Sequence, residues 1–374
     1  MDEGLYIGLM SGTSMDGIDA VLVKIDPQST SLIHAINTPY DDSVLSALTT
    51  CIDNHSLSWK AIGSINNLIG EHFALSTLEL LKQAQVDPKE IRAIGSHGHT
   101  VHHSPDSNSP FTLQWGNPSI IACSTKIAVV SHFRDIDVAL GGQGAPLAPR
   151  FHQHAFQNTE VERMVVNIGG IANITQLPTD DQSNILGMDT GPGNGLMNSW
   201  VQKHTGKAYD DGGQWARSGD INGDLLERLL ADPYLAQPAP KSTGREHFNL
   251  DWLYRSDPEL DAMAPEDVQA TLCQYTAETI ANHIKEYAKT PNPEVIICGG
   301  GAHNTYLMER LSTALAPISV EPSSTYGIDP DWVEATAFAW FAWAFENKIP
   351  GNLPSVTGAK STAVLGRLQL PPNE

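Results

Sequence analysis

Ile185-Leu-Gly-Met-Asp-Thr-Gly-Pro-Gly-Asn-Gly-Leu-Met-Asn198 is the stretch from which the rest of the chain can be read. A short apolar run ends at Met188, Asp189 follows at once, and three glycines with a proline then force a tight turn. Leu196, Met197, Trp200 and Val201 recur at helical spacing, so the pattern is strand, acid, turn, helix. In an open α/β sheet that order puts Asp189 at the carboxyl end of a strand, beside the crevice where such sheets bind ligands. Gly191 and Gly193 carry no Cβ and let a ligand approach the backbone. An acid so placed is a candidate general base. The alternative is an Asp that caps the following helix.

A chain of 374 residues is too long for one ordinary core, which predicts two domains. The net charge of −21 argues against a nucleic-acid partner, since phosphate backbones call for clustered Lys and Arg. It also sets a condition: the phosphates of any bound nucleotide must be held by backbone N–H groups and a metal. No run reaches the roughly 20 apolar residues of a membrane span, and Met1-Asp-Glu-Gly-Leu-Tyr6 lacks the basic start of a signal peptide. Cys51, Cys123, Cys273 and Cys298 are scattered, which fits reduced thiols in a cytoplasmic protein.

Leu5–Gly12 and Ile18–Asp26 flank a small-residue turn and read as a β-hairpin, with a third strand over Ser31–Asn37. Ser58–Val86 has helical periodicity, and Ile91–Ser96 returns to strand character and runs into Ser96-His-Gly-His-Thr100. A helix over Asn117–Ser124 and a strand over Ile127–Ser131 follow, and Gly141–Pro149 reads as the crossing between domains. A similar order then starts again. Met164–Gly169 and Ile171–Leu177 form a hairpin around Gly169-Gly170, Ile185–Met188 is a later strand, and Pro265–Lys289 is a long helix. The strand Glu294–Cys298, a helix over His303–Leu315 and an aromatic-rich helix over Asp329–Asn347 close the second half. The expectation is two similar α/β domains facing each other across a cleft, 1–140 and 141–352, with a C-terminal helix at about 353–370 packing back on the first.

Three glycine-rich turns can meet anionic oxygens without basic side chains. They are Gly12-Thr13-Ser14-Met15-Asp16-Gly17-Ile18-Asp19, Asn167-Ile168-Gly169-Gly170, and Gly299-Gly300-Gly301 leading to Asn304 at a helix N-terminus. None is a Walker loop or a full dinucleotide turn, and each taken singly reads equally as an ordinary turn. Asp16 and Asp19 suit Mg²⁺, Asp16 through water, or are simply solvated turn carboxylates. His97, His99, His102 and His103 resemble a zinc cluster, but neighbouring strand residues point to opposite faces. Asp189-Thr-Gly191 matches the aspartic-protease triplet, without the second carboxylate such an enzyme needs.

Read together, these blocks resemble the anhydro-N-acetylmuramic acid kinase family, within the actin, sugar kinase and chaperone ATPase superfamily. The matching residues are Gly8-Leu-Met-Ser-Gly-Thr-Ser-Met-Asp-Gly-Ile-Asp19, Gly95-Ser-His-Gly98, Gly141-Gly-Gln-Gly-Ala-Pro146, Asn167-Ile-Gly-Gly-Ile-Ala-Asn-Ile174, Asp189-Thr-Gly-Pro-Gly-Asn194 and Leu353-Pro-Ser-Val-Thr-Gly-Ala359. The resemblance implies two actin-like ATPase domains of ribonuclease H-like α/β fold with a Mg²⁺-ATP site. It implies a reaction in which water opens 1,6-anhydro-N-acetylmuramic acid at C1 while O6 takes the γ-phosphoryl group, in cytoplasmic recycling of cell-wall fragments. Asp189 matches the family's catalytic base, and Glu334 a family acid near the sugar. Arg134 is suited to the lactyl carboxylate, and His97 falls among the substrate residues. His99 stands where the family usually has Gln, and His132 where it has Asp. A homodimer stays open. The rivals are a kinase of another sugar and a nucleotide-switched binding protein, which would need an effector segment that the six residues after Leu368 do not supply.

Overall fold

The computed structural model describes residues 2–12, 15, 17–53, 57–180 and 185–373. Six strands come first: β1 (Gly4–Ser11), β2 (Ile18–Ile25), β3 (Thr30–Thr38), β4 (Ile91–Ser104), β5 (Phe111–Trp115) and β6 (Val129–Ser131). They are followed by β7 (Arg163–Ile168), β8 (Ile171–Leu177), β9 (Leu186–Pro192), β10 (Glu294–Cys298), β11 (Val320–Pro322) and β12 (Arg367–Gln369). The chain separates into two compact units, Met1–Ala155 with Trp332–Glu374, and Phe156–Asp331.

In the first unit the sheet order is β12-β6-β4-β1-β2-β3, with β5 paired to β4. The β1, β2 and β3 strands form an antiparallel meander, and β4 and β6 add in parallel. The second unit has the order β11-β10-β7-β8-β9. Its meander β7-β8-β9 is again antiparallel, and β10 and β11 again add in parallel. A meander followed by two crossover strands therefore occurs twice, the repeated plan of the actin-like ATPase fold. The doubling expected from sequence is visible strand by strand.

Each sheet buries its own core. In the first unit Ile7, Leu9, Ile18, Leu22 and Ile94 pack with Ile69, Phe73 and Leu80 of the helix Trp59–Ala84. In the second, Val166, Ile168 and Ile174 pack with Trp200 and with Leu272, Tyr275 and Ile280 of the helix Pro265–Tyr287. Alternating side chains of a twisted sheet supply one face of such a core and the apolar stripe of a helix the other.

The domain boundaries differ from the sequence expectation. The helix Val333–Glu346 belongs to the first unit, where it packs on β1, β2 and β4. Gly8 and Gly95 lie side by side in the β1–β4 register and form the groove that admits it. A Cβ at Gly8 would stand 2.8 Å from the Ala339 nitrogen, and one at Gly95 2.6 Å from the Phe338 carbonyl carbon. The residues 141–149 are not a crossing. They stay in the first unit, held by the buried Asp137 carboxylate, which accepts from the Gly144 N–H (2.7 Å), Asn352 Nδ2 (2.7 Å) and Thr357 Oγ1 (2.8 Å). The segment 353–370 does pack on this unit, but as a one-turn helix, Pro354–Thr357, and the strand β12 antiparallel to β6.

Candidate active site

Asp189 sits within β9, which runs through Thr190 and Gly191 to Pro192, rather than at a strand end. Helix Asn194–Thr205 begins five residues after Asp189, and its N-cap is Gly193, without a side-chain cap bond. The helix-cap reading of Asp189 is thereby removed. The residue is held instead by a loop some fifty positions on. Its N–H donates to the Lys241 carbonyl (3.0 Å), its carbonyl accepts from Tyr234 Oη (2.9 Å), and Oδ2 accepts from the Thr243 N–H (2.9 Å). Oδ1 has no hydrogen bond among the described residues. Lys241 is buried and anchors this loop, its Nζ donating to the carbonyls of Tyr234 (3.1 Å) and Leu235 (2.8 Å). Burial pushes the Asp189 pKa up to about 6; the Thr243 N–H pulls the other way, and the charge of Glu246 adds to the rise. A carboxylate fixed at one oxygen, with a raised pKa, is suited to taking a proton near neutral pH.

The Gly169-Gly170 turn between β7 and β8 is tied to the start of the same helix. The Asn194 N–H donates to the Gly169 carbonyl (2.7 Å), and those of Gly193 and Gly195 donate to the Gly170 carbonyl (both 3.0 Å). Asn194 Nδ2 donates to the Ile168 carbonyl (3.1 Å). Three N–H groups of this helix start are therefore engaged inside the protein. The third glycine turn follows β10, next to β7, so both turns lie at the carboxyl ends of adjacent parallel strands, where α/β sheets bind ligands. Gly299 has φ 78° and is required by conformation, and a Cβ there would crowd Asn167. Gly301 is closed in by Ile168, whereas a Cβ at Gly300 would meet nothing nearer than Asn194 Nδ2 at 4.0 Å. Gly300 thus offers bare, open backbone. Asn304 caps the helix Thr305–Leu315, its Oδ1 accepting from the Leu307 N–H (3.0 Å).

In the first unit the Gly12–Asp19 turn follows β1, but Thr13, Ser14 and Asp16 lie outside the described residues. The Met15 N–H donates to the Gly12 carbonyl (3.2 Å), with Met15 itself at φ 58°. Gly17, at φ 156°, passes close to the Thr38 carbonyl, which a Cβ would approach to 2.6 Å. Ile18 is buried at the start of β2, and Asp19 Oδ1 accepts from Asn37 Nδ2 (2.8 Å). Just before the turn, Tyr40 Oη donates to Ser11 Oγ (2.9 Å), which also bonds His99 Nδ1 (3.1 Å). His99 therefore belongs to a buried relay beneath this loop.

His97 and Arg134 form one device. His97 Nδ1 bonds the Gly98 carbonyl (2.9 Å) and must carry the proton, which leaves Nε2 as the acceptor for Arg134 Nε (3.1 Å) and Nη2 (2.9 Å). Burial, then the Arg134 charge, depresses the His97 pKa well below its ordinary range, so the ring is neutral, as this arrangement demands. Both ring nitrogens are engaged, so His97 acts by aiming Arg134 and not as a direct hydrogen-bonding ligand. Arg134 Nη1 donates to the Gly144 carbonyl (2.7 Å). Of the five guanidinium N–H groups, two on the terminal nitrogens remain for a carboxylate. Glu334, in the first turn of the helix Val333–Glu346, has its pKa raised by surrounding protein and by Asp19, with Arg134 opposing. His102 stacks on Phe111 and His103 bonds Thr112 Oγ1 (3.0 Å). No group of three His, Cys, Asp or Glu among the described residues could hold a metal.

The loop 234–246 was missed in the sequence. Its signal was Lys241-Ser-Thr-Gly-Arg-Glu246, a dense polar run in the long segment between the helices that start at Asn194 and Pro265.

A family model described as Anhydro-N-acetylmuramic acid kinase matches residues 4–371. The chain belongs to the anhydro-N-acetylmuramic acid kinase family. A family member of that name from Pasteurella multocida is 44% identical over 363 residues, covering 97% of this chain and 96% of its own. The one from Photobacterium profundum is 47% identical over 369 residues, covering 97% and 98%, and one from Coxiella burnetii is 46% identical, covering 98% of each chain. Among solved structures, the activator of the 2-hydroxyisocaproyl-CoA dehydratase from Clostridium difficile aligns at a TM-score of 0.45 and 12% identity, over 91% of this chain and 94% of its own. A likeness that distant carries no weight for function. His99 is held in the Ser11 relay, and His132 lies at φ 60° with Nδ1 on Ser131 Oγ (2.9 Å).

Proposed function

We propose that this chain is an ATP-dependent kinase that hydrolytically opens 1,6-anhydro-N-acetylmuramic acid and phosphorylates O6, giving N-acetylmuramic acid 6-phosphate and ADP. The observation that carries this reading, beyond membership of the family, is Asp189: fixed at Oδ2 by the Thr243 N–H, with a pKa near 6. Its carboxylate takes a proton from water, and the water oxygen forms a bond to C1. The C1–O6 bond breaks with its electron pair going to O6. O6 then bonds the γ-phosphorus, and the bond from that phosphorus to the β,γ-bridging oxygen breaks, leaving the pair on ADP. A positioned base of this kind is worth ~10²–10⁴ in rate.

To the nucleotide we assign the backbone of Gly12, Met15 and Gly17–Asp19, and that of Asn167, Gly169, Gly170 and Gly299–Gly301. Thr13, Ser14 and Asp16 are assigned with them from the sequence. Mg²⁺ retains waters and needs only one or two carboxylates beside phosphates, so a Mg²⁺ held through Asp16 fits a protein without a three-ligand cluster among its described residues. When bound, Mg²⁺ would neutralise charge on the phosphates. Arg134 would receive the lactyl carboxylate through its two remaining N–H groups, and Glu334 would accept from the sugar hydroxyls. The location that goes with this reading is the cytoplasm, in recycling of cell-wall fragments; no helix among the described residues is long and apolar enough to cross a membrane.

The test is incubation with Mg²⁺-ATP and the anhydro sugar, followed by mass analysis. The product must gain both a phosphoryl group and a water. A product carrying the phosphoryl group alone refutes the coupled ring opening, and faster ADP release with another sugar favours the rival kinase.

A further inference from the structure

We infer that Arg245 is a further catalytic residue, the cation that the second unit offers to the transferring phosphoryl group. This rests on the reading that the Gly169-Gly170 turn meets the phosphates of ATP.

Three observations converge on it. Arg245 is exposed, and its guanidinium has no hydrogen bond or ion pair among the described residues. In a chain this acidic most exposed guanidinium groups find a carboxylate, as Arg217 does with Glu309 and Arg367 with Asp135. Next, the guanidinium lies over the bare face of Gly170. A Cβ at that position would stand 2.8 Å from Nη2, 2.9 Å from Nε and 3.3 Å from Cζ. Gly170 does not have a positive φ, so backbone conformation does not require the glycine, and the atoms that a side chain there would meet first are those of the exposed guanidinium. Lastly, Arg245 is two residues beyond Thr243, whose N–H fixes the Asp189 carboxylate, and four beyond Lys241, whose carbonyl fixes the Asp189 backbone. One short loop therefore sets both the base and the cation.

The surroundings explain why a cation is needed here. The N–H groups of Gly193, Asn194 and Gly195 are engaged by the carbonyls of the turn, so these three are not free to meet an anion. A cavity of about 470 Å³ opens beside the guanidinium between Gly195, Asn198 and Phe248, so Arg245 has room to reorient. In the transfer, negative charge builds on the three equatorial oxygens and on the β,γ-bridging oxygen as its bond to phosphorus breaks. A planar guanidinium can bridge two such oxygens at once, and it neither gives nor takes a proton.

The experiment compares Arg245→Gln, Arg245→Lys and Gly169→Val by turnover, by KM for each substrate and by calorimetric Kd for Mg²⁺-ATP and Mg²⁺-ADP. Arg245→Gln should lower kcat at least 10²-fold, in the manner of a lost arginine finger. It should leave sugar KM within about two-fold and shrink the preference for ATP over ADP. Arg245→Lys should recover no more than about a tenth of the loss, because it keeps charge without the planar pair of donors. Arg245→Gln turnover within five-fold of wild type, or equal losses of ATP and ADP affinity, overturns the assignment. Gly169→Val separates the two levels of the argument: a Cβ at Gly169 meets nothing nearer than the Ile171 carbonyl at 3.6 Å, so its bulk reports on a ligand. If that variant binds ATP as wild type does, the turn is not a phosphate site and the underlying reading fails with the proposal. If it loses ATP while Arg245→Gln keeps turning over, only the Arg245 assignment fails.

Discussion

Replacing Asp189 with Asn should destroy turnover and stabilise the protein at the same time. Asn keeps the shape and an oxygen for the Thr243 N–H, but it cannot take the proton of water. Turnover should fall by ~10²–10⁴. The stability effect follows from the carboxyl group being held at a pKa near 6 in the folded chain, against the ordinary 3.8. Well below pH 3.8 the group is neutral in both folded and unfolded chains, and the folded state bears no penalty. As pH rises from 4 to 6 the unfolded chain ionises freely while the folded one resists, so stability is lost across that window and stays lost above it. A shift of about two units corresponds to roughly 3 kcal/mol, and partial solvent access reduces this to ~2 kcal/mol. The Asn variant has no such group. Its unfolding free energy in denaturant should match wild type near pH 4 and exceed it by ~2 kcal/mol at pH 7.5. An Asn variant that is no more stable at pH 7.5, or one that retains activity within a few-fold, refutes the argument that a buried acid of raised pKa is the base.

The same pKa predicts that wild-type kcat falls on the acid side with a midpoint near pH 6 as Asp189 is protonated, a limb that a pH–rate profile would show and the Asn variant should lack. Arg134→Lys should raise the KM for the anhydro sugar about ten-fold or more while KM for ATP stays put, because Lys cannot both answer His97 and present two parallel donors; equal losses for an anhydro sugar without the lactyl group would reassign Arg134 to support of the fold. Asp137→Asn turns an acceptor-only group with three buried donors into one that must present an amide N–H to them, and should cost ~1–3 kcal/mol in denaturant unfolding; an unchanged midpoint would mean that the loops do not depend on it. Gly95→Val, which drives a side chain into the Phe338 backbone, should leave little folded protein by circular dichroism, whereas Gly300→Ala, facing open space, should fold normally.

Much of this protein is written in local pattern. The two hairpins, their glycine turns and the long helices follow from spacing that any short window of sequence contains, and because that order is repeated, two similar units could be expected before any coordinate was known. Asp189 could be singled out from its neighbours alone. Its chemistry could not: the pKa near 6 comes from burial and from the charge of Glu246, against the Thr243 N–H, and the loop that supplies both residues lies more than fifty residues away, where no pattern at Asp189 records it. The helix Val333–Glu346 was assigned to the wrong unit because it is apolar on every side, with no polar face to tell which sheet it covers. Only the side-by-side placement of Gly8 and Gly95, on strands far apart in sequence, makes the groove that selects it. His97 and Arg134 were both read as ligands, since sequence shows residue types and not which atoms are engaged. The fold joins them, and their hydrogen bonds leave Arg134 alone with donors to offer. Backbone periodicity is local and survives in the sequence, whereas partnership across long separations exists only once the chain has closed on itself.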